Sequence, residues 1–433
     1  VFVLFGSALF LGEMVLIRCC LICILKRAVM VLKKLAITTC VLLLTLFVKS
    51  QPNVALTPPM GWNSWNLFEE EVSDKLIREI ADAMVASGMA QAGYQYIVLD
   101  DYWVGGRTAN NELFPDPVRF PQGIKAMADY VHAKGLKLGI YSDAASLTCG
   151  GVTGSYNFEE QDATTFAKWG IDYLKYDYCN APDDMATAFT RYKKMGDALK
   201  KTNRPIVYSI CEWGQRQPWL WAKAAGGNLW RTTWDIRDTW LSDKYDNGHN
   251  GIMNTVDMQK GLEKFAGPGG WNDPDLLVTG LFGKGKSSSV KGRYSGCSIT
   301  EYRSQFVLWC MLAAPLMVNL DVRNMDRSVA AILCNKELIA INQDEMGKQA
   351  ALMGEHNGCQ IFKKELSGNR YALCILNKRD TVASFSFALK DALKMYGQWN
   401  AREILANRKL GVVKTLTGEL AAHDCVVFVM KYN

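Results

Sequence analysis

The strongest constraint in this sequence is a repeated grammar between residue 58 and about residue 344. A short apolar run, a cluster of polar or aromatic residues and a helical stretch follow one another eight times. The runs are MGWNSWN (60–66), YQYIVLDDYW (94–103), LKLGIYSD (136–143), IDYLKYDYC (171–179), PIVYSICEW (205–213), NLWRTTWDI (228–236), GGWNDPDLL (269–277) and LMVNLD (316–321). Between the first two, Val72, Leu76, Ile80 and Met84 recur at helical spacing and a glycine comes after them, a pattern that predicts an amphipathic helix with its stop signal. Eight strands alternating with helices predict a (β/α)8 TIM barrel over 56–344. Spacing alone also fits a doubly wound sheet; the carboxylates at the ends of so many runs favour the barrel. From about residue 345 the pattern changes to short alternating runs with turns, which predict a small antiparallel β-sandwich domain over 345–433 with Gly418 and His423 in turns or at strand ends.

Residues 1–55 stand outside this grammar. Met30 opens a segment with Lys33 and Lys34, an apolar run to about Val48 and then small or polar residues, so 30–50 reads as a secretory signal peptide; a retained membrane segment is the alternative. Of the net charge of +6, the first 50 residues carry +5 (Arg18, Lys26, Arg27, Lys33, Lys34 and Lys49 against Glu13). The basic balance therefore belongs to the leader, and the body offers no argument for nucleic acid. Any membrane association is expected only through the leader, if it is retained. With 49% hydrophobic and 21% charged residues, collagen-like, disordered and multi-span membrane chains are excluded. Nine of the 13 cysteines lie beyond the leader, an odd number in a large chain, so this is no disulfide-stapled scaffold. Export and the absence of any N-x-Ser/Thr sequon together point to a secreted or periplasmic bacterial protein. Oligomeric state is not legible.

The chemistry is carried by acids at strand ends: Asp100 and Asp101, Asp143, Asp177, Asp235, and Asp273 with Asp275, with Glu212 just after YSIC. Any one of these could be a helix cap. As a ring at a barrel mouth they converge on one pocket, where like charges push one another's pKa values apart. Two opposed carboxylates in a pocket rich in Trp and Tyr describe glycoside hydrolysis. Four histidines without zinc-ligand spacing leave no zinc motif, and neither a metal nor a cofactor is expected, although an Asp-lined barrel is able to hold magnesium. GLFGKGKS (280–287) formally matches a phosphate loop, but the turn-prone SSVKGRYSG stands where a helix would have to start, so it reads as a solvated loop.

Taken in order, LTPPMGWNSWN (56–66), DDYW (100–103), GIYSD (139–143), YLKYDYC (173–179), CEWG (211–214), WRTTWDIRDTW (230–240), GGWNDPDLL (269–277) and AINQDEMGKQA (340–350) closely resemble glycoside hydrolase family 27, the α-galactosidases and α-N-acetylgalactosaminidases. The resemblance implies retaining hydrolysis of terminal α-galactosides without a metal, on an oligo- or polysaccharide substrate. It implies Asp177 as nucleophile and Asp235 as general acid/base, with Trp65, Asp100, Asp101, Tyr141, Cys149, Lys175, Glu212, Trp213, Arg231 and Asp275 around the sugar. It also implies a Cys149–Cys179 disulfide beside the nucleophile. On that reading Asp177 is ionised, Asp235 holds its proton with Trp234 as the apolar side that raises its pKa, and Glu212 contacts the 2-hydroxyl and selects galactose over N-acetylgalactosamine. Departures from animal members, with Tyr178 after the nucleophile and Phe68 and Trp103 where paired cysteines stand, leave the leaving-group preference open, as does a longer Lys/Ser loop at 281–294. The alternatives carried with it are β-L-arabinopyranosidase chemistry and, in a different class, a galactoside-binding protein without catalysis.

Overall fold

The structure is a computed structural model that describes residues 54–242, 250–286 and 296–433, together with Met30 and Lys33. The signal-peptide reading and most of the Lys/Ser loop fall outside the described residues. The chain divides into two units, Val1–Pro52 and Asn53–Asn433, and the barrel and the C-terminal sheets both lie in the second.

All eight predicted runs form strands: β1 Met60–Asn63, β2 Tyr96–Val98, β3 Lys137–Asp143, β4 Tyr173–Asp177, β5 Val207–Ile210, β6 Leu229–Arg231, β7 Trp271–Asp273 and β8 Leu316–Val318. They pair in parallel in the order β8-β1-β2-β3-β4-β5-β6-β7. A bridge from Leu277 to Val318 completes the ring, with the Leu277 N–H donating to Met317 O at 2.8 Å. The fold is thus the predicted (β/α)8 barrel. The strands are shorter than the apolar runs because each run continues past its last ladder bond into the loop that carries chemistry.

The helices on the outside include α1 Asp74–Ala86, α2 Gly123–Ala133, α3 Glu159–Trp169, α4 Met185–Lys201, α5 Ile252–Asp257, α6 Ile299–Met311 and, after β8, α7 Arg327–Leu333 and α8 Lys336–Asn342. Helix α1 starts where the sequence says it should: Ser73 accepts from Leu76 N, and Val72 and Ile77 stand buried at the two staple positions. Helix α6 begins with a reciprocal capping box, Ser298 Oγ accepting from Glu301 N while Glu301 accepts from Ser298 N. One unit departs from the alternation: between β5 and β6 the described chain forms only the 3₁₀ turn Pro218–Leu220.

Inside the barrel a dry layer of Tyr96, Val98, Tyr173, Val207, Leu229, Trp271 and Met317 fills the floor. Glycine makes room for its rings: a Cβ on Gly61 would stand 2.7 Å from Tyr96 Cβ. Because strand side chains alternate, stepping two residues towards the carboxyl end from each plug residue gives the next inward position. Val98 leads to Asp100, Tyr173 to Lys175 and Asp177, Val207 to Ser209 and Cys211, Leu229 to Arg231, and Trp271 to Asp273 and Asp275. A polar ring therefore stands directly on an apolar floor.

The C-terminal part is a six-stranded antiparallel sheet, order β9-β10-β11-β16-β13-β14, plus the pair β12-β15. Its strands are β9 Ala351–His356, β10 Cys359–Leu366, β11 Arg370–Asn377, β12 Ala383–Ala388, β13 Trp399–Glu403, β14 Arg408–Val413, β15 Thr415–Leu420 and β16 Cys425–Tyr432. Gly418 lies within β15, not in a turn, where a Cβ would meet the Phe385 ring at 2.7 Å. His423 is in the turn before β16, in the left-handed region at φ 58°.

This sheet carries a buried charge against the barrel. Lys364 of β10 is 1% exposed and donates to the α6 carbonyl of Cys310 at 2.9 Å. Burial pulls its pKa down to about 7. The unfolded chain keeps this proton to about pH 10.4, so it binds more protons than the folded chain between about pH 7 and pH 10, and stability rises with pH across that window. Lys364→Met should stabilise the protein at pH 6 by roughly 1–3 kcal/mol, with the gain fading towards pH 10; thermal melts across pH check this, and a loss of stability at pH 6 would contradict it.

Candidate active site

The ring of polar groups is organised around two cations. Lys175 Nζ donates to Asp100 Oδ2 at 2.7 Å, and Asn63 Nδ2 donates to the same oxygen at 2.8 Å. Arg231 reaches Asp275 Oδ2 at 2.8 Å and Asp235 Oδ1 at 3.0 Å through one nitrogen, which also donates to Thr233 O at 3.1 Å. Its other terminal nitrogen lies 3.6 Å from Cys211 Sγ. All of these groups but Asp235 and Lys175 are essentially closed to solvent; Asp235 keeps 34% of its side chain open and so faces the mouth.

Asp177 ends β4 on the inward face. Tyr141 Oη donates to its Oδ2 at 3.1 Å, and Tyr178 N donates to its Oδ1 at 3.0 Å. Cys149 and Cys179 form the expected disulfide, Cα atoms 5.1 Å apart, and the Cys149 sulfur lies 3.8 Å from Asp177 Oδ2. Asp143 supports the far side of this bridge by accepting from Cys179 N at 2.9 Å and Ala145 N at 2.7 Å. Asp143, Cys149, Asp177 and Cys179 bring potential ligand atoms within 4.8 Å of one another, but sulfurs joined in a disulfide offer no thiolate to a metal. Asp101 Oδ2 accepts from Gly150 N at 2.8 Å, in a contact so close that a Cβ on Gly150 would sit 2.9 Å from that oxygen.

Aromatic rings wall the mouth. Trp65 stacks on Tyr102 at 6.1 Å and 13°, and Trp213 stacks on Trp234 at 4.9 Å and 6°. Tyr102, Trp213 and Asp275 hold positive φ values of 69°, 59° and 89°, so the rim of the mouth carries backbone strain.

Two expectations need correction. Glu212 does not face the pocket: its side chain is fully buried on the other side of the strand, where Oε2 accepts from Arg216 N at 2.7 Å and Arg216 Nη1 at 3.2 Å. The reason is parity. The strand ends at Ile210; Cys211 follows in step with Ser209 and lies against Arg231, while Glu212 opens the turn and pairs with Arg216, so the group beside the ring after YSI is Cys211, a residue that nothing in the motif singles out. The two-residue period that places Lys175 beside Asp177 is the signal that finds it.

The second correction concerns protons. Burial raises Asp177 to about 7, with Lys175 opposing and Asp235 adding to the shift. Asp235, expected above the usual range, lies below it: Arg231, Lys175 and Arg237 outweigh its desolvation. Trp234 stacks on Trp213 and does not decide the matter. Burial also lifts Asp101 and Asp143, and takes Asp275 to about 6 despite Arg231. Of the two carboxyls, Asp177 is thus the one held towards its protonated form by burial and Asp235 the one held ionised by its cations.

Of the phosphate-loop match, residues 280–286 are described and run in turns and irregular chain, while Ser287 and the residues after it lie outside the described residues. Lys286 pairs with Glu71, and the next helix among the described residues is α6, beginning at Ile299.

Comparison with known proteins agrees with this geometry. The family model "Alpha galactosidase A" matches residues 57–344, and "Alpha galactosidase C-terminal beta sandwich domain" matches 356–430. The chain belongs to the α-galactosidase (melibiase) family, glycoside hydrolase family 27. It is 46% identical over 336 residues to the α-galactosidase A of Cellvibrio japonicus, spanning 77% of this chain and 79% of that one. The crystal structure of α-galactosidase I from Mortierella vinacea superposes with a TM-score of 0.81 at 33% identity, covering 89% of this chain and 99% of that one. An α-galactosidase from Saccharomyces cerevisiae, solved with raffinose, superposes with a TM-score of 0.81 at 27% identity over 89% and 100% of the two chains.

Because the pair is competent while it holds one proton, kcat/KM should fall on the alkaline side with an apparent pKa near 7, as Asp177 and Asp235 lose it; a flat profile to pH 9 would contradict the coupling. Glu212→Gln should leave the ratio of α-galactoside to α-N-acetylgalactosaminide turnover within about twofold, measured with paired aryl glycosides, because the side chain does not reach the sugar.

Proposed function

We propose that this protein removes terminal non-reducing α-D-galactosyl residues from galactosides by double displacement. The observation that carries the reading is the pair formed by Asp177 and Asp235: carboxylates at the end of β4 and in the loop after β6, the first raised to about 7 by burial with Asp235 adding to the shift, the second held low by Arg231. In the first step an Asp177 oxygen attacks the anomeric carbon and the bond to the leaving oxygen breaks, while Asp235 gives that oxygen its proton. In the second, Asp235 takes a proton from water, which displaces Asp177 and releases the sugar with its anomeric configuration retained.

The chemistry needs a proton on Asp235 and an ionised Asp177, whereas burial raises Asp177 and Arg231 holds Asp235 low. Entry of a sugar over Asp235 weakens solvation there, and hydroxyls placed against the buried Asp177 supply hydrogen bonds that favour its ionised form. Tyr141, with its own pKa pushed well up by burial, stays a donor to Asp177 throughout. Lys175 holds Asp100 rigid, and Arg231 holds Asp275 and Asp235, so the groups assigned to the sugar are fixed before it arrives.

In this reading Asp100 and Asp101 bind the C4 and C6 hydroxyls, Trp65 is the apolar platform, Tyr141, Cys149, Lys175, Trp213, Arg231 and Asp275 complete the pocket, and Cys211 takes the wall position first given to Glu212. The yeast relative's raffinose supports an oligosaccharide as substrate. The apolar leader and the disulfide support export to the periplasm or medium of a bacterium, and no helix among the described residues is long and apolar enough to cross a membrane.

The test is a panel of aryl glycosides (α-D-galactopyranoside, β-L-arabinopyranoside and α-N-acetylgalactosaminide) with Asp177→Ala alongside. The α-galactoside should dominate and the variant should lose at least about 10³-fold in kcat. Dominant arabinoside turnover would overturn the substrate, and an active Asp177→Ala would overturn the nucleophile.

A further inference from the structure

The loop that carries Asp235 is held from outside the barrel as well as from within. Inside, Ile236 N donates to Asp275 Oδ2 at 2.7 Å. Below, the buried Asp238 accepts from Tyr302 Oη of α6 at 2.9 Å, from Gly283 N at 2.7 Å and from Cys297 N at 3.1 Å. At its far end Trp240 lies flat under His423 of the C-terminal domain, ring centroids 4.5 Å apart and planes 20° from parallel.

His423 stands between two carboxylates. Nδ1 is 2.7 Å from Glu301 Oε1 on α6, and Nε2 is 2.9 Å from Asp380 Oδ1 in the turn between β11 and β12. A neutral imidazole can donate through one nitrogen only; two carboxylate partners are both satisfied only by the imidazolium. That cation is also the form the Trp240 face attracts. The same turn is pinned to α6 by Ser304 Oγ donating to His423 O at 2.6 Å and by the Arg303–Asp424 pair at 2.6 Å. The charged groups around the ring are therefore Glu301, Asp380 and, one step away, the Arg303–Asp424 pair.

We propose that His423 is a positioning residue for the reaction: as an imidazolium clamped between Glu301 and Asp380 it presses on Trp240 and holds the Asp235 loop in register with Asp177. The C-terminal domain thereby takes part in general acid catalysis without touching substrate. This rests on the reading of Asp235 as the general acid.

The experiment compares kcat/KM for a dinitrophenyl α-galactoside, whose leaving group departs without a proton, with kcat/KM for melibiose, whose sugar leaving group requires one. His423→Gln should lower the melibiose value about tenfold, a fraction of the 10²–10⁴ that a general acid supplies, and leave the dinitrophenyl value within about twofold. Asp380→Asn, at an exposed partner that poses no folding problem, should show a smaller loss of the same pattern. Equal loss on both substrates, or loss on neither, in the two variants overturns the latch. Asp235→Asn in the same assay separates the two claims. If it fails to discriminate between leaving groups, the acid assignment falls and the latch with it; if it discriminates and the latch variants do not, the latch alone falls.

Discussion

Charge balance in a buried ring governs this structure. Seven carboxylates, Asp100, Asp101, Asp143, Asp177, Asp235, Asp273 and Asp275, crowd the carboxyl ends of the strands over an apolar aromatic floor, and Lys175 and Arg231 are the cations that pair with them. Lys175 is bound to Asp100, while Arg231 is shared between Asp275 and Asp235. The carboxylates left without a cation of their own must be hydrogen-bonded, protonated or both, because an isolated charge in that medium is too costly. Backbone N–H groups from the rim loops supply the bonds, to Asp101, Asp143, Asp177 and Asp275 alike. The strained turns of the mouth, Asp275 among them, answer the same demand.

The imbalance between acids and cations also drives the carboxyls apart. Arg231 contacts Asp235 and lowers its pKa, while burial raises that of Asp177, further from a direct cation contact, to about 7. A pair poised around a single movable proton is suited to a residue that alternates between acid and base. The expectation that each catalytic carboxyl holds its working protonation state in the resting site comes from roles; the resting site answers only to its neighbours.

Position along a strand decides function more finely than motif does. Glu212 and Cys211 are adjacent in CEWG, and the acid draws attention because acids do chemistry. The pleat turns it away from the sugar towards Arg216 and gives the inward place to a thiol beside Arg231. At the other end of the molecule, His423 looks like a turn residue in a domain with no evident chemistry. Only packing brings it onto Trp240, which lies far earlier in the chain.

The sequence by itself determined the barrel, its eight strands, the β-sandwich beyond them and the identity of nearly all the polar ring. These come from period-two and helical patterning and from acids at strand ends, which are local and survive in one dimension. The disulfide, too, was legible, through family resemblance. Tertiary structure alone decided which cation each carboxylate receives, which carboxyls are raised and which lowered, and what packs on the Asp235 loop from outside. Those depend on distances between groups far apart in the chain, and the Coulomb and desolvation energies that set them change steeply over a few ångströms, a scale on which a sequence carries no record.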